Sequence, residues 1–361
     1  MEMTFDLGVI GAGPAGSAAA ITAANRGLKV LLLEATQYPR HRVCGEFVSA
    51  ESAEVLRYLL GDEAPLLFAV PRITSAKLHA SGQTCTLPLA SPGYSIPRIA
   101  LDDALWRCAQ SRGIACRIDR VAEVVRQDSA FLIRNTSSEH RANTVINASG
   151  RWSRLTTRTS GHAWIGLKAH FAGETDDAVD LYFLKNGYCG IQPVTPGVLN
   201  ACALVRLGTA KNLSEVFNSD SHLAARARTW RQTTQLFATA PVYLGPGLPV
   251  IDGVLQVGDA AGFVDPFVGD GISLALRTGV LAGRCACAVS PLVYASLYRE
   301  AFGGIFRSTN RIRALQAYPA FLHRWILRGL SVPYIASSLF HQTRNSNLDV
   351  LTTPLSPATN P

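Results

Sequence analysis

The stretch Phe5-Asp6-Leu7-Gly8-Val9-Ile10-Gly11-Ala12-Gly13-Pro14-Ala15-Gly16 decides the fold. Phe5 to Ile10 is a short apolar run closed by glycine, which reads as a buried parallel strand. Pro14 to Arg26 is alanine-rich and helical, with Gly27 as its C-cap, and Lys29 to Leu33 is a second strand. In this βαβ beginning Gly11 permits the tight turn, Gly13 lets the backbone approach a pyrophosphate, and Gly16 allows close helix–strand packing. The helix N-terminus, at Pro14 and Ala15, attracts the phosphates. Glu34 ends the second strand, about 20 residues on, where an acid accepts ribose hydroxyls and disfavours a 2′-phosphate.

Working outward, Leu101 to Arg112 reads as a helix, and Ile114 to Ile118 and Ala142 to Asn147 as further sheet strands. Ile73 to Ala80, Trp164 to Phe171, Val179 to Leu184 and Leu199 to Arg206 are strand-like runs between turn residues, as in an antiparallel sheet. A helix is expected within Leu213 to Phe237. Val250 to Val257 reads as one buried strand entering a glycine-rich turn, followed by a helix from about Gly271 to Ala288. The expected architecture is α/β: a discontinuous Rossmann-type domain (1–72, 97–158 and 245–290) with an inserted antiparallel β-sheet substrate domain (73–96 and 159–244). A helical C-terminal region (291–346), broken at Pro319 and Pro333, and a disordered tail (347–361) complete it.

Gly258-Asp259-Ala260-Ala261-Gly262, then Pro266, Gly269 and Gly271-Ile272 opening a helix, form a second glycine-rich motif. With these residues the chain resembles the FAD-dependent aromatic hydroxylases, geranylgeranyl reductases and flavin halogenases over roughly residues 1 to 290. The resemblance implies FAD, with Gly258 and Asp259 at ribityl and phosphate oxygens. It also implies the later glycines at the pyrimidine edge, where a helix N-terminus favours the charge of reduced flavin. Ser149-Gly150 lies in a segment like the family's Asp-Gly-x-x-Ser, with serine in place of the acid. Arg98 matches the family arginine on the flavin side; its alternative is an exposed helix-entry residue. Ala35 and Val121 complete the expected cofactor set.

Arg42-Val43-Cys44-Gly45-Glu46 occupies the place of a Cys-Gly pair in geranylgeranyl-reductase-like members. There Cys44 would donate a proton or tune the flavin, with Arg42 favouring its thiolate. Glu46 would be an acid or base if the pocket desolvates it. Alternatively, Gly45 only provides the turn and Cys44 packs. On the strand from Trp164 to Phe171, Trp164, Lys168 and His170 share one face, and Ile165, Leu167, Ala169 and Phe171 the other. Lys168 and His170 are candidates for proton transfer if their face roofs the pocket, and surface residues if it meets water. Tyr188 and Pro193 alone survive from the reductases' Tyr-x-Trp-x-Phe-Pro segment.

The eight cysteines include no Cys-x-x-Cys pair, so no metal is expected, and Cys285 and Cys287 are placed on different faces of one helix. Glu2 and Asp6 argue against a signal peptide and no run of about 18 apolar residues occurs, so the expectation is cytoplasmic. Net charge is +8, and Arg284 to Arg344 holds eight arginines against one acid, Glu300. That basic region, with the stripe Phe321, Leu322 and Trp325, fits peripheral membrane contact, or ordinary solvated and core helix faces. No nucleic-acid motif is present. The expected enzyme is a monomer or homodimer acting on a lipophilic small molecule, with NAD(P)H as a transient electron donor. A monooxygenase on an aromatic or polyketide-like substrate leads, ahead of reduction of an isoprenoid C=C bond and of a non-catalytic FAD-binding switch.

Overall fold

The structure, a computed structural model, describes residues 4–135, 138–152, 155, 163–316, 349–352 and 355. Its first strand, β1 (Thr4–Ile10), leads through the glycine turn into helix α1 (Pro14–Asn25) and then β2 (Val30–Glu34). β1 lies between β2 and Glu139–Asn147, parallel to both, with Val9 opposite Leu32 and Ile146. Ala115–Ile118 extends this sheet beyond β2, and Val254–Gln256 extends it beyond Glu139–Asn147. Continuous apolar strands need cover on both faces. Val30 and Leu32 pack with α1 and the helix Gly271–Cys285, while Leu31 and Leu33 pack under a hairpin carrying Phe131 and Ile133.

α1 and Gly271–Cys285 approach through small residues. A Cβ on Gly279 would lie 2.2 Å from the Ala15 carbonyl oxygen, and one on Gly283 2.5 Å from that of Ala19. This contact joins the two glycine-rich motifs, which are some 250 residues apart in sequence, at one end of the parallel sheet.

The second sheet has nine strands. Its main path runs Arg231–Gln232, Trp164–Ala172, Val198–Arg206, Gly187–Thr195, Ala178–Leu184, Arg72–Ala80, Gln83–Ser95 and Phe47–Val48. It is not wholly antiparallel: Ala178–Leu184 pairs parallel with Arg72–Ala80. Leu213–Phe217 and Ser221–Ala227 are two short helices where one was expected, since Asn212 and Asp220 each cap a new start. Val250 to Val257 is a small hairpin rather than one strand, because Asp252 and Gly253 turn at φ +49° and +82°. The helix before Cys287 ends at Cys285, and Cys287 lies beyond it at φ +57°.

All eight cysteines are free. Among the described residues no helix is long and apolar enough to cross a membrane, and no cluster of side chains could hold a metal ion. The C-terminal region begins as the helix Pro291–Gln316. The expected breaks at Pro319 and Pro333, the Phe321 to Arg328 segment and most of the tail lie outside the described residues.

Candidate functional site

The first turn behaves as its residues require. Gly11 has φ +96°, and a Cβ there would sit 2.4 Å from the Ala148 oxygen; one on Gly16 would sit 1.7 Å from the Gly11 oxygen. Neither position admits a side chain. A Cβ on Gly13 would meet only the Arg98 guanidinium, at 3.9 Å, so the space over the turn is open. Glu34 is buried and accepts the N–H of Ala12 at 2.9 Å, that of Ala35 at 2.8 Å and Arg40 at 2.7 Å. Burial pushes its pKa up, but Arg40 and the Ala12 N–H outweigh this and hold it below the usual value. An ionised carboxylate therefore stands beside the turn.

The other expected cofactor segments converge here. The Ser149 hydroxyl donates to Asn147, and Gly150 turns at φ +74°. Arg151 then reaches to 3.6 Å from Asp259, with its guanidinium 3.9 Å over the Phe263 ring. Gly258 donates its N–H to Thr278 at 2.9 Å, and a Cβ on it would press on Ala15 at 2.9 Å. Pro266 begins a single 3₁₀ turn that Gly269 closes at φ +73°. Gly271 opens its 15-residue helix with open space where a Cβ would be, and Ile272 is buried behind it. Val121 packs on the hairpin face of the parallel sheet.

These residues fit FAD. Two helix N-termini, a carboxylate for hydroxyls and glycines leaving open space at Gly13, Gly150 and Gly271 supply what a dinucleotide and a flavin ring need.

Beside Gly13 the site becomes polar. Arg98 is paired through two hydrogen bonds of 2.8 Å with Asp102, and Cys44 adds to the field that favours its charge. Burial works against the Arg98 charge, yet Asp102 and Cys44 more than offset it and raise its pKa. The arginine whose charge Cys44 favours is thus Arg98. Arg42 lies instead among Arg40, Glu34, Arg98 and Asp102, and burial followed by Arg40 lowers its pKa.

Cys44 is half-buried and its sulfur accepts the Glu46 N–H at 3.3 Å. Gly45 is exposed, with open space at its Cβ. Glu46 has no exposed surface and φ +66°, an uncommon conformation for a residue with a side chain. Its Oε1 accepts from Lys168 and from the Arg98 N–H at 2.9 Å, and its Oε2 lies 2.9 Å from His170 Nε2. Lys168 is fully buried and also donates to the Arg42 carbonyl at 3.2 Å.

The geometry bears on two expectations, and for Glu46 it disfavours the acid and leaves the base. The face of Lys168 and His170 is buried over residues 42–46, while Leu167, Ala169 and Phe171 join an apolar cluster on the other face. Desolvation alone would raise the Glu46 pKa, as expected for an acid catalyst, but hydrogen bonding to His170 and the Lys168 charge outweigh it. Glu46 is held ionised.

Three residues were missed. Asn200, 1% exposed, donates to the carbonyls of Cys44 and Gly45 at 3.1 and 2.9 Å. His41 stands edge-on to His170 at 5.6 Å, its pKa lowered by burial and then by Lys168 and His170. Arg40 holds Glu34. The register that puts Asn200 opposite His170 is the one signal that leads to it. Tyr188 is buried with its ring 5.6 Å from Phe267.

The fold is one shared with flavin-dependent enzymes of known structure. Residues 6–41 match the family described as FAD dependent oxidoreductase. The chain is 27% identical to a menaquinone reductase of Mycobacterium tuberculosis, over 89% of this chain and 86% of that one. It is also 27% identical to a digeranylgeranylglycerophospholipid reductase of Methanococcoides burtonii, over 79% and 75%. Among solved structures a flavin-dependent brominase shares the fold with a TM-score of 0.77 at 20% identity, covering 94% of this chain and 93% of that one. The chain is thus similar to reductases over most of its length and shares its fold with a flavin-dependent brominase.

Proposed function

We propose that the protein is a reductase that saturates a carbon–carbon double bond in a lipophilic, isoprenoid-type molecule, with NAD(P)H as the transient electron source. The observation that carries this reading is Cys44, a half-buried thiol whose sulfur accepts the Glu46 N–H at 3.3 Å, within the electrostatic reach of Arg98, whose guanidinium borders the open turn at Gly13. The reductase names of relatives matched over most of the chain support it, and they lower oxygen-dependent hydroxylation to second place.

Bound FAD would supply the two electrons, as hydride. The protein's own residues hold the dinucleotide and deliver the proton. Gly11, Gly13 and Gly16 with Glu34 seat the adenosine and pyrophosphate half, and Gly258, Asp259, Gly269 and Gly271 face the flavin half. Cys44 donates the proton that completes saturation, and Arg98 steadies the charge left on sulfur. Glu46 is not the acid, because Lys168 and His170 keep it ionised.

The test is anaerobic turnover of a prenylated quinone or polyprenyl lipid by the FAD-loaded protein with NAD(P)H. The expected result is one reductant oxidised per double bond lost, with Cys44→Ala slowing kcat about 100-fold. Turnover that requires air and inserts oxygen into the product overturns the reading in favour of hydroxylation.

A further inference from the structure

The loop bearing Cys44 is set from beneath by side chains of the nine-stranded sheet. Asn200 Nδ2 donates to two successive carbonyls, Cys44 O and Gly45 O. Lys168, two residues from His170 on the neighbouring strand, does the same for Arg42 O. A trans peptide unit is planar, with its C=O and N–H pointing in opposite directions. Drawing the Gly45 carbonyl onto Asn200 therefore turns the Glu46 N–H away from Asn200, and that N–H is the one that donates to the Cys44 sulfur. The Glu46 side chain, fixed by Lys168, His170 and the Arg98 N–H, keeps the same peptide from rotating back despite its positive φ. Amide, peptide and thiol form one rigid linkage from the sheet to the sulfur.

The geometry points to Asn200 as a positioning residue that, through the Gly45–Glu46 peptide, holds a hydrogen-bond donor on the Cys44 sulfur. It deepens the reductase reading and rests on it for the catalytic consequence. In proton donation the S–H bond breaks, its electron pair stays on sulfur, and the proton bonds the substrate carbon next to the one that received hydride. The Glu46 N–H stabilises the sulfur in that charged form, and water restores the proton afterwards. Asn200 touches no reacting atom. Its effect passes through the backbone.

The experiment is site-resolved alkylation of the FAD-loaded protein with iodoacetamide, following the Cys44 peptide by mass spectrometry across pH. Asn200→Ala removes the amide without adding charge, and Asn200→Leu removes it while keeping nearly the same volume, should the smaller side chain prevent folding. In either variant, with near-UV circular dichroism unchanged, the pH midpoint of Cys44 alkylation moves up by about one unit. Anaerobic kcat falls about tenfold with KM unchanged, and the Asn200 change adds nothing in a Cys44→Ala background. An unmoved midpoint in a folded variant overturns the assignment, as does an equal kcat loss in the Cys44→Ala background. If the midpoint moves while Cys44→Ala leaves turnover intact, the positioning stands and the reading of Cys44 as proton donor falls. If Cys44→Ala slows turnover but the midpoint stays, the reverse holds.

Discussion

Glu46 and Asp180 lie against opposite faces of the nine-stranded sheet, and each is a buried carboxylate held between a histidine and a cation. Asp180 sits 2.6 Å from His79 Nε2 and accepts from Arg226 at 2.9 Å. His79 stacks on Tyr182 at 4.2 Å, and Arg226 also donates to the Tyr182 hydroxyl. Burial pushes the pKa of either carboxyl up, and its partners pull it further down. What differs is the cation and the backbone. Arg226 keeps 31% of its side chain exposed and Asp180 lies in an ordinary strand, so this pair fastens the helix Ser221–Ala227 to the sheet. Lys168 has no exposure, and Glu46 sits at φ +66° next to an open glycine. A fully buried cation and a strained backbone are costly features that a fastening does not require. They set apart the face on which the proposed chemistry rests.

The sharpest way to break this comparison is to remove each carboxylate. Glu46→Ala leaves Lys168 buried without a counter-charge, and the expected loss in urea unfolding at pH 7 is about 3–5 kcal/mol. Asp180→Ala leaves His79 without its carboxylate partner and an arginine that turns to water, and the expected loss is about 1–3 kcal/mol. Equal losses would show that the buried lysine is not the distinguishing feature.

Acid sharpens the comparison with a smaller effect. Both carboxyls are held below their ordinary values of 4.5 and 3.8. Their stabilisation is therefore complete above those values and is lost as pH falls through the lower folded-state ones. Unfolding free energy measured from pH 6 downward should decline below about pH 5, by about 1–3 kcal/mol for each group. Glu46→Gln and Asp180→Asn should each flatten part of the decline. A decline unchanged in both would assign acid sensitivity to other groups.

The contrast between the two faces also explains what the sequence reveals. Gly11, Gly16 and Glu34 are legible because a tight turn, a 1.7 Å approach and a ribose acid each demand one residue type at a fixed short spacing. Lys168 and His170 are legible as one face of a strand, since side chains alternate. Whether that face meets water depends on what covers it, and the cover is residues 42–46, more than 120 positions away. Asn200 depends on a strand register that no local pattern sets. Arg42 was paired with Cys44 by nearness in sequence, but Arg98 takes the place because its helix begins where the Glu46 carboxylate accepts its N–H. The hairpin at Asp252 and Gly253 carried its turn signal openly, within an apolar run that reads as one strand.

The smallest expected effect tests the fastening alone. Arg226→Gln keeps a polar side chain, gives up the bond to the Tyr182 hydroxyl and removes the charge opposite Asp180. His79 remains on the carboxylate, and Arg226 is partly solvated already, so the global cost is about 1 kcal/mol or less. The loss should be local, because Ser221–Ala227 is short and Leu223 is its one fully buried apolar side chain. Amide exchange should quicken about tenfold in residues 221–227 and stay unchanged in Trp164–Ala172, where the Glu46 pair resides. The flavin absorbance of the loaded protein should not move, since among the described residues Asp180, His79 and Arg226 make no hydrogen bond or ion pair to residues 42–46. A spectral shift in Arg226→Gln would mean that the two faces communicate through the sheet, and the division between fastening and site would fail.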